Sequence, residues 1–430
     1  MSEKQALVPR LRFPEFRGAG EWNNFKLTQI SERLQEKVGS RKLTTVSITA
    51  GFGFVSQVEK FGRDISGEQY KNYILLKHGE FSYNKGNSKA FPQGCIYQLD
   101  EFNKVAAPSA FISFKFNSDF VPEFFKGYFD SNFHGYQLLR FITSGARSDG
   151  LLNISPAHFF SIRLPTPQSK GEQQKIADCL SSLDTLIAAQ AEKIDALKTH
   201  KKGLMQQLFP REGETVPRLR FPEFRGAGEW DVQSVGDLKP FITSGSRGWA
   251  AYYADQGELF VRITNLWRDS IYLDLTDSKF VQLPTGANEG VRTQLKEHDV
   301  LISITADIGI VGYVDNSVPS PAYINQHIAL VRFDAAKMSG KYVAYFLASE
   351  RPQQLFYAST DTGAKAGMSL IGIQKIEVML PRLREQQRIA DCLSSLDTLI
   401  AAQAEKIDAL KTHKKGLMQQ LFPSPEAMGA

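Results

Sequence analysis

The segment VPRLRFPEFRGAGEW stands at Val8 to Trp22 and again, letter for letter, at Val216 to Trp230; no other feature constrains the fold as strongly. A longer segment, EQQKIADCLSSLDTLIAAQAEKIDALKTHKKGLMQQLFP, runs from Glu172 to Pro210 and returns from Glu385 to Pro423, with Arg388 where the first copy has Lys175. The 430 residues therefore form two units fused head to tail through a short joint, Arg211 to Thr215. Each unit has a Pro/Arg-rich lead, a middle of about 150 residues and a closing segment. A chain of this length exceeds what one hydrophobic core usually organises, so an internally divided protein is expected.

The closing segments read as helices of about 172–208 and 385–421. Ile176, Leu180, Leu183, Ile187, Ile194, Leu197, Leu204 and Leu208 recur at alternating steps of three and four, and their copies are Ile389, Leu393, Leu396, Ile400, Ile407, Leu410, Leu417 and Leu421. Gln190 and Lys201, repeated as Gln403 and Lys414, fill the two gaps in this seam and read as register devices. The helices stop at Phe209-Pro210 and Phe422-Pro423, where proline forbids continuation. About 37 residues make a rod of roughly 55 Å. A stripe so narrow pairs most simply with its own copy, in an antiparallel pair with a pseudo-twofold axis, the alternative being that each helix packs on its own middle. An antiparallel pair would act as a spacer, equivalent to roughly 16 base pairs of B-form DNA.

The middles, roughly 23–168 and 231–383, are not copies, yet one layout runs through both. Strand-like FISFKF (Phe111 to Phe116) has a counterpart in HIALVRF (His327 to Phe333), and helical Val121 to Phe141 one in Lys341 to Ala358. The turn SGARSDG (Ser144 to Gly150) matches TGAKAGM (Thr362 to Met368), and a strand follows each before the long helix. Short strands punctuated by Gly and Pro, with a few helices, indicate an α+β chain with two similar mixed domains. The implied division is a lead (1–22), a first domain (23–168), a central helical repeat with the second short repeat (169–230), a second domain (231–383) and a C-terminal helical repeat with its tail (384–430).

Enzyme signatures fail. An adenine methyltransferase needs an Asn/Asp-Pro-Pro-Tyr/Phe loop, and no Pro-Pro pair exists; Ser320-Pro321-Ala322-Tyr323 lacks the second proline. No GxxxxGK[ST] loop is present. Seven histidines show no HExxH or HxxxH grouping, and Cys95, Cys179 and Cys392 form no CxxC, so no metal site is expected. The sequence shows no membrane-length apolar run, and a cytoplasmic location is expected. A net charge of +5 permits nucleic-acid binding without requiring it.

Two variable middles alternating with repeated helices, the EQQ-I-A-CL-LD-I helix start with LP just upstream, and the stretches KHGEFSYNKGNS and INQHIALVRF together resemble the specificity subunit of type I restriction-modification systems, in the branch with long near-identical repeats. The resemblance covers essentially the whole chain. It implies a noncatalytic subunit whose two target-recognition domains, joined by two long antiparallel coiled-coil helices, each read one half of an asymmetric bipartite site in double-stranded DNA. It further implies two methyltransferase subunits docked on the helices and up to two motor-nuclease (restriction) subunits. S-adenosylmethionine, ATP and Mg are then expected in those partners, with no cofactor in this chain.

Base reading in the major groove uses Arg or Lys for guanine, Asn or Gln for adenine, and Ser or Thr adaptably. In the first middle these types concentrate in Tyr83, Asn84, Lys85, Asn87, Ser88 and Lys89; in the second they are Ser246, Arg247, Tyr252, Arg262 and Asn265. Arg147 and Lys365 occupy matching turns and suit phosphate or base contacts. Lysine plus arginine outnumber aspartate plus glutamate 17 to 12 over residues 23–163, but trail 13 to 16 over 231–381. The acidic second middle favours a rival reading, a tandem scaffold that tethers two copies of a partner and never touches DNA.

Overall fold

The computed structural model describes residues 7–86, 91–142, 152–284, 286, 289–360 and 367–423. They form two compact bodies interleaved along the chain: one holds the chain up to 190 together with residues from 406 onward, the other holds 191–405.

The first stretch contains β1 (Asn23–Lys26), α1 (Leu27–Ile30), β2 (Ser31–Arg33), β3 (Val46–Thr49), β4 (Gly53–Ser56), α2 (Gln57–Phe61), β5 (Ile74–Lys77), β6 (Phe81–Asn84), β7 (Cys95–Gln98), β8 (Lys104–Ala107) and β9 (Ile112–Phe116), then α3 (Pro122–Asp130), α4 (Phe133–Leu138), α5 (Pro156–Phe160), β10 (Arg163–Thr166) and the long α6 (Lys170–Leu208). The second contains β11 (Asp231–Ser234), β12 (Phe241–Ser244), β13 (Tyr253–Ala254), β14 (Glu258–Val261), β15 (Phe280–Val281), α7 (Glu289–Thr293), β16 (Val300–Ser303), β17 (Val311–Tyr313), β18 (Ala322–Ile324) and β19 (Ile328–Arg332), then α8 (Gly340–Leu347), α9 (Glu350–Thr360), α10 (Leu370–Gln374), β20 (Glu377–Leu380) and the long α11 (Leu383–Leu421).

The two bodies share a frame. A four-stranded antiparallel sheet runs β2-β9-β6-β7 in the first and β12-β19-β16-β17 in the second, and a two-stranded ribbon, β1-β10 or β11-β20, leads into the long helix. They differ in their additions: the first carries the hairpin β3-β4 and the pair β5-β8, the second a sheet β13-β15-β14-β18 whose β14-β18 pairing is parallel. Each sheet is covered by an amphipathic helix. Phe124, Phe125, Tyr128 and Phe129 of α3 are buried, as are Tyr342, Val343, Tyr345 and Phe346 of α8. Tyr128 donates its hydroxyl to Pro165 O at 2.5 Å, and Tyr342 does the same to Met379 O at 2.6 Å. The helical stretch expected over Val121 to Phe141 is broken after α3, where Asn132 takes a left-handed conformation (φ 56°) and restarts the chain as α4. The stretch Lys341 to Ala358 likewise divides, between α8 and α9.

The repeats fasten each frame in the same way. Arg12 forks onto Glu172 at 2.7 Å through both Nε and Nη2 and donates Nη1 to Gly20 O; Arg220 does the same with Glu385 and Gly228 O. Gln173 accepts from Val121 N and donates to Pro167 O, and Gln386 accepts from Ser339 N and donates to Pro381 O. The glutamates and glutamines that open the long helices are thus buried sockets for a lead and a domain.

Within each body the helical segments run antiparallel. In the first, Lys414 donates to Asp184 at 2.7 Å, while one turn earlier Leu180 shares the space around Gly127 with Phe422. In the second, Lys201 donates to Asp397 at 2.5 Å, and Leu208 and Phe209 join Ile389 and Leu393 in the core. Ile176, Leu180 and Leu421 are buried in the first body's core, Leu204 and Leu417 pack against the cores, and the mid-helix seam residues Leu183, Ile187, Ile194, Leu197, Leu396, Ile400, Ile407 and Leu410 are half-buried. Helix ends therefore pack on the middles as well as on each other. The amide oxygens of Gln190 and Gln403 are buried without a hydrogen-bond partner.

Candidate nucleic-acid interface

Because neighbouring strands of each four-stranded sheet alternate in direction, the ends of the first and third strands meet the start of the strand between them at one edge. In the second body, β12 ends at Ser244 beside Ala329, and β16 ends at Ser303 beside Ile328. The loops Gly245–Arg247, Ile304–Gly309 and Asn325–His327 therefore gather there. Gly367 forms a bridge with Thr305, and Met368 N donates to Ile304 O at 2.8 Å. A Cβ on Gly245 would lie 2.3 Å from the Asn325 carbonyl, so only glycine permits this approach of two backbones.

The first body builds its edge by the same rule. Arg33 ends β2 opposite Phe114, and Tyr83 in β6 lies opposite Ile112. Leu152 N donates to Lys85 O at 2.9 Å, the counterpart of Met368 and Ile304, since Lys85 and Ile304 each follow the third strand directly. In sequence, the segments carrying Arg147 and Lys365 precede these equivalent anchors.

The candidates fall into three groups. Asn87, Ser88, Lys89, Arg147 and Lys365 lie outside the described residues. Asn84, Lys85, Ser246 and Arg247 stand at the loop edges: Asn84 accepts from Gly86 N at 2.9 Å, Lys85 and Ser246 are half-buried, and Arg247 is exposed. The remaining four serve the frame. Tyr83 is fully buried, stacked on Phe159 at 4.8 Å, with its hydroxyl on Gln93 O, and burial raises its phenol above the ordinary range. Asn265 is buried and donates to the carbonyls of Asp274 and Asp277 while accepting from Arg262 N; Arg262 pairs with Asp277. Tyr252 is half-buried and meets Trp249 edge-on at 6.1 Å. Reading Tyr83 and Asn265 as groove contacts is therefore corrected. A buried polar group must be bonded internally, and these two meet that requirement within the frame.

Several edge residues have no counterpart in the sequence reading. Arg292 of α7 donates to Thr243 Oγ1, to Ser244 O at 2.9 Å and to Ser246 Oγ at 3.0 Å, clamping the loop that carries Arg247. Thr305 Oγ1 bonds His327 Nδ1, and Gln326 Nε2 lies 2.9 Å from His327 Nε2. Arg268 holds Asp307, Ile308 O and Gln353, and lies over the Tyr357 ring at 4.7 Å. Trp267 beside it is half exposed. At the far end of β19, by contrast, Arg332 forks onto buried Asp299, whose carboxyl burial raises despite that partner; this pair belongs to the frame. Among the described residues, no group of three His, Cys, Asp or Glu is placed to hold a metal, and no helix is long and apolar enough to cross a membrane. What the edges offer is hydrogen-bond donors and acceptors on short, braced loops, the chemistry of recognition.

A family model described as the type I restriction modification DNA specificity domain matches residues 276–412. Two proteins of Methanocaldococcus jannaschii are similar: the type I restriction enzyme MjaVIII specificity subunit, 25% identical over 296 residues (66% of this chain and 66% of that protein), and the MjaX specificity subunit, 24% identical over 316 residues (71% and 68%). The chain thus spans about two thirds of the length of these relatives. Among solved structures, the type I restriction-modification S subunit of M. genitalium shares the fold with a TM-score of 0.58 at 13% identity, covering 97% of this chain and 100% of that one. A chain from a study of type I R-M complex assembly and conformational transition gives 0.54 at 16%, covering 94% and 98%.

Proposed function

This chain belongs to the specificity subunits of type I restriction-modification systems, and from that premise we propose that each body reads one half of an asymmetric bipartite DNA site through its loop edge. The observation that carries the reading is one frame shared by the two bodies, with unlike edges. Both bodies present the third-strand loop and its anchored neighbour at the same edge of the same sheet, but with Asn84 and Lys85 in one and Thr305 and Asp307 in the other. One frame with two surfaces suits two different half-sites.

The long helices, fastened to each frame by the Glu172 and Glu385 sockets, set the distance between half-sites and carry two methyltransferase subunits, with up to two restriction subunits joining them. In this proposal S-adenosylmethionine, ATP and Mg act in those partners, and this chain contributes recognition alone, in the cytoplasm where the DNA is. The partners also neutralise much of the phosphate charge, which the net acidic second middle cannot do by itself. That acidity is the one observation favouring the rival, a protein scaffold without DNA contact. Replacing residues 23–168 with the middle of a relative separates the two. A reader changes one half of its recognised sequence and keeps the other, whereas a scaffold leaves DNA preference unaltered.

A further inference from the structure

The polar chain Thr305, His327, Gln326 is braced in a way the frame does not require. His327 O accepts from Ile304 N at 2.9 Å and His327 N donates to Asn325 Oδ1 at 3.1 Å, so both backbone groups of the histidine are fixed. Its ring is then held at both nitrogens, by Thr305 Oγ1 and by the Gln326 amide. The bond at Nε2 runs from Gln326 Nε2, so the imidazole offers a lone pair there and carries its proton on Nδ1, facing the threonine oxygen. One N–H of the Gln326 amide is thereby used. With that bond made by the hydrogen anti to Oε1, the syn N–H and Oε1 remain side by side, a donor and acceptor that complement N7 and N6 of adenine in the major groove. Gln326 is only half-buried and shares its edge with exposed Arg247 and the Gly245 loop that packs on the Asn325 backbone.

We infer that Gln326, positioned by His327 and Thr305, reads an adenine in the half-site of the second body. The assignment rests on the DNA-reading function proposed above. Fixing a long side chain before binding removes rotamer entropy that would otherwise oppose it, which is the use of such a brace. His327 and Thr305 are positioning residues in this arrangement and touch no base.

The test maps N6-methyladenine in host DNA marked by the chain co-expressed with its methyltransferase partner, for the wild type, Gln326→Ala and Gln326→Glu. In Gln326→Ala, one adenine of the second half-site relaxes to any base, with about ten- to hundred-fold loss of preference, while the other half is unchanged. In Gln326→Glu the same position turns toward cytosine, whose amino group a carboxylate accepts. Should Gln326→Ala mark no DNA, binding of its purified complex to four duplexes differing only at that position decides: equal binding supports the assignment, and a retained adenine preference overturns it. An unchanged motif in both variants overturns it while leaving the family function intact. A wild-type complex that marks no bipartite motif instead removes the underlying reading, and this assignment with it.

Discussion

Lys201 and Asp397 meet at 2.5 Å with both side chains about nine-tenths buried, and Asp397 also accepts the Tyr345 hydroxyl at 2.6 Å. The residues at the same repeat positions, Lys414 and Asp184, meet at 2.7 Å, but there Asp184 is 45% exposed and Lys414 also reaches Asp130. Near-identical helix sequences thus make the same bridge in different surroundings. Removing one partner of a buried pair costs about 3 kcal/mol or more, and the cost falls where a partner reaches water, as Asp184 does although Lys414 is itself only 15% exposed. Lys201→Ala is expected to destabilise its body markedly more than Lys414→Ala, as read by hydrogen exchange along the two helices. Equal effects would contradict this account.

The Arg12–Glu172 and Arg220–Glu385 forks are both buried and alike in geometry, but Glu172 also accepts from Trp22 Nε1 at 3.3 Å, whereas Trp230 Nε1 is buried without a partner. Arg12→Ala and Arg220→Ala each leave a buried carboxylate without its cation, at a cost of about 3–5 kcal/mol, with Arg12→Ala the milder because Glu172 keeps the Trp22 bond. Lysine should not rescue either, because a single ammonium cannot reproduce the two-pronged contact or reach Gly20 O at the same time. Denaturation of each variant, monitored in its own body, checks both statements.

His134 is fully buried, with Nε2 against Gly94 O, and burial lowers its pKa to about 4. The unfolded chain takes up this proton near pH 6.5 while the folded one resists until about pH 4, so the folded state loses stability as pH falls through that window. The loss tends toward about 3 kcal/mol at the acid end. Urea melts of the first body at pH 7 and pH 5 should differ, and His134→Leu should flatten the difference.

Arg292 is an exposed clamp whose three bonds all go to residues 243–246. Arg292→Ala is expected to change the melting temperature little and to weaken base preference in the second half-site alone. Loss of preference in both half-sites would show that the clamp acts elsewhere.

Much of the frame was legible because it is written locally. The repeats, the heptad seam and the proline stops each occupy consecutive residues, and the helices end at Leu208 and Leu421 as their prolines dictate. The edges were legible only in part. Lys85 and Arg247 stand out by residue type, but Thr305, Gln326 and His327 come together because β16 ends where β19 begins, a relation between residues far apart in sequence. Tyr83 and Asn265 show the opposite failure: a polar residue type attracts a functional reading, while burial assigns it to the frame. The alternation in FSYN, with Phe81 and Tyr83 on one face, was the available signal that Tyr83 points into the core.

The central claim, two unlike edges reading two unlike half-sites, is tested most directly by building a chain in which residues 231–381 are replaced by a second copy of 23–163, co-expressing it with the methyltransferase partner and mapping N6-methyladenine in host DNA beside the wild type. The account predicts one asymmetric bipartite motif for the wild type, and for the duplicated chain a palindrome built from the half-site that the first body reads. A duplicated chain that folds and binds its partner yet marks the wild-type motif, or binds DNA without preference, would contradict it.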